Sequence, residues 1–103
     1  MAKYLYVYHG GSNPETEAEQ KEVMDAWGAW LGSMGAAVID GGNPVGISST
    51  VQSDGSVRTG GENLASGYSL IEASDLDEAL AKAKACPILA AGGSVEVAEA
   101  FDM

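Results

Sequence analysis

Apolar and polar positions along this chain fall into short segments of two kinds, separated by glycine-rich breaks. Lys3 to His9 (KYLYVYH) sets Tyr4, Tyr6 and Tyr8 against Leu5, Val7 and His9 before Gly10-Gly11. Successive strand side chains point to opposite faces, and aromatic and β-branched residues suit a pleated surface. The spacing therefore predicts a central strand covered on both sides. Ser12-Asn13-Pro14-Glu15 then reads as a helix entrance, with Thr16-x-x-Glu19 offering a second capping box. Val23, Met24, Trp27, Trp30, Leu31 and Met34 recur at helical spacing and predict one apolar face, ending at Gly35. Gly28 and Gly32 lie four apart on one side of this helix, where another backbone or a ligand could come close.

Ala36 to Asp40 (AAVID) predicts a short strand, and Gly41 to Gly46 a loop. Ile47 to Ser53 and Ser56 to Thr59 flank Asp54-Gly55, a dipeptide favoured in two-residue hairpin turns. Gly60 to Asn63 is a further loop and Gly67 to Ala73 (GYSLIEA) a further strand. A second helix opens at Ser74 or Asp75, directs Leu76, Ala79, Leu80 and Ala83 to the core, and stops before Pro87. Ser94 to Ala98 (SVEVA) alternates as a last strand. The order β-α-β-β(hairpin)-β-α-β, in which the hairpin counts as two strands, predicts an α+β, ferredoxin-like split βαβ fold with an extra hairpin and an antiparallel sheet. Both helices then cross one sheet face. The other face, carrying Tyr4, Tyr6 and Tyr8 or their opposites, is left bare. A bare apolar face of that size marks an interaction surface, and a second copy of the chain is the expected cover.

The chain's 103 residues suit one domain over 1–103, which alone buries roughly 65% of its surface; pairing would help. Fifteen acidic against five basic residues give a formal charge of −10, which repels phosphate backbones and anionic lipid headgroups. Lys3, Lys21, Arg58, Lys82 and Lys84 form no basic stripe, so no nucleic-acid partner is expected. The charge suits solubility and equally a salt-adapted proteome. With no signal-like segment and no apolar run near the ~20 residues of a membrane helix, the expected setting is cytoplasmic. One cysteine, Cys86, excludes an internal disulfide and a cysteine zinc cluster, and reads as a buried small side chain. No metal or cofactor is expected: Gly41 to Gly46 lacks phosphate-loop spacing, and the acidic residues are dispersed.

His9, the lone histidine, sits at the carboxyl end of its strand. It could serve as a general base near neutral pH, or simply hydrogen-bond the following loop. Asp40 could orient that imidazole or take a proton itself. It could equally cap Gly42 or Asn43 as a turn residue. Trp27 and Trp30 read as core, or as walls for a small planar ligand between helix and sheet, with Tyr68 and Asn43 as further ligand contacts. Buried tyrosine hydroxyls need partners, and Glu72 or Glu96 on neighbouring strands could supply them.

KYLYVYHGG, GAAVIDGGNPVGISSTVQSDGSV, GYSLIEASDLDEALAKAKACPIL and the closing GSVEV, in that order and spacing, resemble the YCII-related family with its DGPF subgroup over nearly the whole chain. The resemblance implies a dimeric α+β barrel, similar to muconolactone-isomerase-like small enzymes, and a His–Asp pair in catalytic members. Asp40 falls at the family's aspartate. The family's histidine on the first helix has no counterpart here, and Thr59-Gly60-Gly61-Glu62 stands in place of the DGPF signature. These departures favour a non-catalytic module that binds a small ligand or a partner. The alternative is a lyase- or isomerase-type enzyme acting on a small organic acid or aromatic compound, with Asp40 and His9 moving protons.

Overall fold

The computed structural model describes all residues, Met1–Met103. The strands are β1 (Ala2–His9), β2 (Val38–Asp40), β3 (Ser49–Val51), β4 (Val57–Thr59), β5 (Ala65–Ala73) and β6 (Ser94–Ala100); the helices are α1 (Glu17–Met34) and α2 (Leu76–Ala83). Short 3-10 turns at Gly35–Ala37 and Pro87–Leu89 follow the helices. β1, β2, β5 and β6 form one antiparallel sheet in the order β2-β5-β1-β6. That is the ferredoxin-like order expected of two split βαβ units. β3 and β4 pair only with each other, as a ribbon outside the sheet.

Helix starts follow the sequence signals. Thr16 rather than Pro14 opens α1: its hydroxyl accepts from Glu19 N at 3.1 Å, while Glu19 reaches back to accept from Glu15 N at 2.9 Å. Asp75, not Ser74, caps α2 by accepting from Glu78 N at 2.9 Å. The ribbon turn departs from expectation. Gln52 N donates to Ser56 O and Gly55 N to Gln52 O, so Ser53-Asp54-Gly55 make a three-residue loop, not a two-residue one. Gly55 takes the left-handed position (φ +88°) that such loops require.

Both helices lie on one face of the sheet, and Tyr4, Tyr6 and Tyr8 point toward them, all nearly fully buried. Tyr6 stacks on Trp30 with centroids 6.0 Å apart, and Trp27 meets Tyr8 edge-on at 4.9 Å. Trp30 Nε1 donates to Lys82 O at 3.0 Å, which ties α1 to α2. The expected helix faces are narrower than predicted. Trp30 and Met34 are buried, but Met24 is 73% exposed and Val23 lies outside the core. In α2 the alanines Ala79 and Ala83 are buried and Leu76 and Leu80 are largely exposed, because a small side chain lets the helix sit close on Tyr6. A Cβ built at Gly28 or Gly32 meets nothing within 4 Å, so neither glycine serves a close approach within the chain. On the opposite face Leu5, Val7, Tyr68 and Leu70 are only partly covered. No helix is long and apolar enough to cross a membrane.

Candidate functional site

Strand alternation places His9 on the open side of the sheet, in register with Leu5 and Val7. Its side chain is nonetheless well buried, because loops close around the strand's end. Nδ1 lies 2.9 Å from Asn63 O and Nε2 lies 2.8 Å from Glu96 Oε1. Both partners are acceptors, so only the doubly protonated imidazolium satisfies both. The Glu96 hydrogen bond is the largest influence raising the His9 pKa above its ordinary value; the Asn63 carbonyl adds to it, and burial opposes both. Glu96 stands two residues along β6 from Ser94, the residue paired with His9, and so lies on the same face. Asn63 presents its carbonyl from a left-handed backbone conformation (φ +53°), which asparagine tolerates better than most residues.

His9 lines a cleft of about 510 Å³. One wall is Val45, Gly46 and Ile47, another runs from Gly61 and Asn63 to Ser66, and Gly92 to Ser94 form a third. Ser66 sits where the β1–β5 register slips, between the pairs Tyr8–Gly67 and His9–Ala65. Bulges of this kind redirect side chains beside functional sites. The Ser66 hydroxyl is buried in the cleft wall with no hydrogen-bond partner, a condition that costs about 1–3 kcal/mol.

The other sequence candidates lie elsewhere. Asp40 is exposed on the edge strand β2, with β5 between it and β1. Its Oδ1 accepts from Gly42 N at 2.8 Å, which closes a local turn. Gly42 (φ +76°) rests against β5 so closely that a Cβ there would fall 1.6 Å from Tyr68 O. Asp40 and His9 therefore do not form the expected pair; Glu96 holds the imidazole instead. Trp27 and Trp30 pack against each other at 5.6 Å and against Tyr6 and Tyr8, so the helix–sheet space holds aromatic rings. Neither tryptophan lines the His9 cleft. Tyr68 and Asn43 are joined to each other, Asn43 Nδ2 donating to Tyr68 Oη at 3.2 Å, and they too lie outside it.

The buried tyrosine hydroxyls find partners other than the expected glutamates. Tyr6 donates to Ala79 O, and Tyr8 donates to Ser69 Oγ at 2.7 Å. Glu72 and Glu96 cannot serve them, since both lie on the opposite face. Burial pushes the Tyr8 phenol up to about 12 and the Cys86 thiol up to about 11, so neither is an acid or nucleophile at neutral pH. Sequence reasoning missed Glu96, Asn63 and Ser66 as site residues. The alternation of SVEV put Glu96 on a polar side, but only the β1–β6 register reveals that this is the side of His9.

The observed topology decides the fold class. The fold is ferredoxin-like. No protein-family model matches the sequence, and no curated protein matches it. Among solved structures, the chain is similar to 5-chloro-2-hydroxyhydroquinone dehydrochlorinase (TftG) from Burkholderia phenoliruptrix AC1100, determined in complex with 2,5-dihydroxybenzoquinone. The two share 17% identity with a TM-score of 0.56, over 96% of this chain and 95% of that one. At this identity the likeness concerns the fold.

Proposed function

We propose that this chain is a homodimeric, YCII-related-like protein that binds a small organic acid or hydroxylated aromatic compound in the His9 cleft, without catalysing its conversion. One observation carries the reading: both nitrogens of the only histidine are committed to acceptors of the chain's own. A ring in that state has no lone pair for removing a proton and serves as a fixed positive edge beside a cavity. The cleft is shallow and open, and its volume leaves room for a small molecule on its floor. The Ser66 hydroxyl, buried in the cleft wall without a partner, gains one in a carboxylate or phenolic oxygen when a small shift of the wall exposes it to the ligand. Full-length fold likeness supports the YCII-related reading of the sequence. The half-covered Leu5, Val7 and Leu70 support a second copy across the open sheet face.

A second reading is an enzyme of lyase or isomerase type. The observation favouring it is that His9, which lines the cleft, is paired with Glu96 just beyond the lining, on a fold shared with a dehydrochlorinase. Here Glu96, whose side chain is 64% exposed, would exchange a proton with the ligand while His9 holds it in place. Asp40 has no part in either scheme.

The test is a melting-temperature screen against small aromatic and keto acids. A ligand at ten times its Kd stabilises the folded state by about 1.4 kcal/mol, a rise of roughly 5–10 °C for a domain this size. The rise is expected to shrink in His9→Ala and Ser66→Ala and to persist in Asp40→Asn. Equal responses in wild type and His9→Ala would refute the cleft as the binding site. Solvent deuterium entering the bound compound, and ceasing in Glu96→Gln, would establish the enzyme reading instead.

A further inference from the structure

We propose that the β3–β4 ribbon is an arm that packs on a second copy of this chain, and that this packing holds two walls of the His9 cleft in place. The inference rests on the homodimer reading above and adds which element makes the contact and why the site needs it.

The ribbon's strands pair only with each other, and all six of their residues are exposed. A lone two-stranded ribbon is marginal in water. This one is nonetheless two-sided: on one side Val51 and Val57 face each other at 70% and 64% exposure beside the hydrogen-bonded Ser49–Thr59 pair, and Thr50 and Arg58 pair on the other. Ile47, at the ribbon's root, is 80% exposed. Alternation of this kind belongs to strands with one covered face, yet nothing in the chain covers it. The radius of gyration is 14.9 Å, against about 13 Å for a compact chain of this length, as for a molecule with a part held away from its core.

Charge selects the occupant. With 15 acidic and 5 basic residues, most of this surface repels another copy of itself. The segment from Gly41 to Gly61 is different: its charged residues are Asp54 at the tip and Arg58, which cancel. A basic partner would choose the acidic surface elsewhere, whereas a second copy can approach this segment without repulsion. The same chain also carries the matching acceptor, the partly bare Leu5, Val7 and Leu70 of the open face. One twofold arrangement covers arm and face in both copies.

The site depends on the arm through its stems. Val45, Gly46 and Ile47 lead into the ribbon, Gly61, Asn63 and Leu64 lead out, and both runs line the cleft. Asn63 is also the residue whose carbonyl holds His9 Nδ1. An arm anchored on a partner fixes both walls; a free arm leaves them to fluctuate. Dimerisation and cleft geometry are then reciprocally coupled.

The experiment compares the full-length chain with Val51→Ser/Val57→Ser, two positions outside the cleft. Sedimentation reports assembly, and the imidazole proton resonance reports the cleft, unambiguously because there is one histidine. The variant is expected to raise the dimer Kd at least about tenfold and to shift and broaden the His9 resonance. In the wild type, hydrogen-exchange protection of the ribbon amides is expected to rise with protein concentration, a measurement that holds even if the variant misfolds. A wild-type dimer with concentration-independent ribbon exchange, or a folded variant that dimerises with an unchanged His9 resonance, would overturn the arm alone. A monomeric wild type would overturn the homodimer reading as well.

Discussion

Replacing Glu96 by Gln isolates the interaction on which the site's electrostatics rest. The amide oxygen can still accept from His9 Nε2, so the ring's placement is kept while the negative charge is removed. At 2.8 Å in a water-like dielectric the charge pair amounts to about 1.5 kcal/mol. Glu96 is 64% exposed on its side chain, so screening and the ordering of a long carboxylate reduce this to about 0.5–1 kcal/mol. The sign follows from linkage. His9 has a folded-state pKa above its unfolded value, so its contribution is fully present below the unfolded pKa of about 6.5 and fades as pH rises through the folded value. Wild type should therefore exceed Glu96→Gln in stability at pH 6, and the difference should vanish on the alkaline side of the His9 titration. NMR titration of the lone imidazole, with urea melts at pH 6 and pH 9, measures both effects. An identical titration midpoint in the two proteins would refute the pairing, and so would a stability difference that grows with pH.

Two further outcomes check the scaffold. Gly42→Ala places a Cβ 1.6 Å from Tyr68 O in a left-handed backbone, so the loop must move. We expect a loss of at least about 1–2 kcal/mol from the backbone conformation alone, and a stability equal to wild type would show the turn to be adaptable. Trp30→Ala removes a buried ring stacked on Tyr6 and frees Lys82 O, and should cost about 3–5 kcal/mol in denaturant melts. A loss under 1 kcal/mol would mean that the aromatic layer does not hold the helices to the sheet.

The one-dimensional pattern determined the segments, since strand and helix periods are local properties of the chain. KYLYVYH alternates as a strand, Thr16-x-x-Glu19 was one of two helix starts on offer, and the element order allowed few topologies. What it could not determine was which side of β1 would meet the helices, because Tyr4, Tyr6 and Tyr8 and their opposites Leu5 and Val7 are both apolar enough to be buried. Packing settled that: the larger rings fill the layer with Trp27 and Trp30, and His9 falls on the open side. The pairing at the site was equally out of reach. Asp40 and His9 both end strands, but β5 lies between those strands, while the register of β6 against β1 brings Glu96 to the imidazole from 87 residues away. Side-chain identity is written in the sequence, but proximity between distant strands is created only when the sheet assembles.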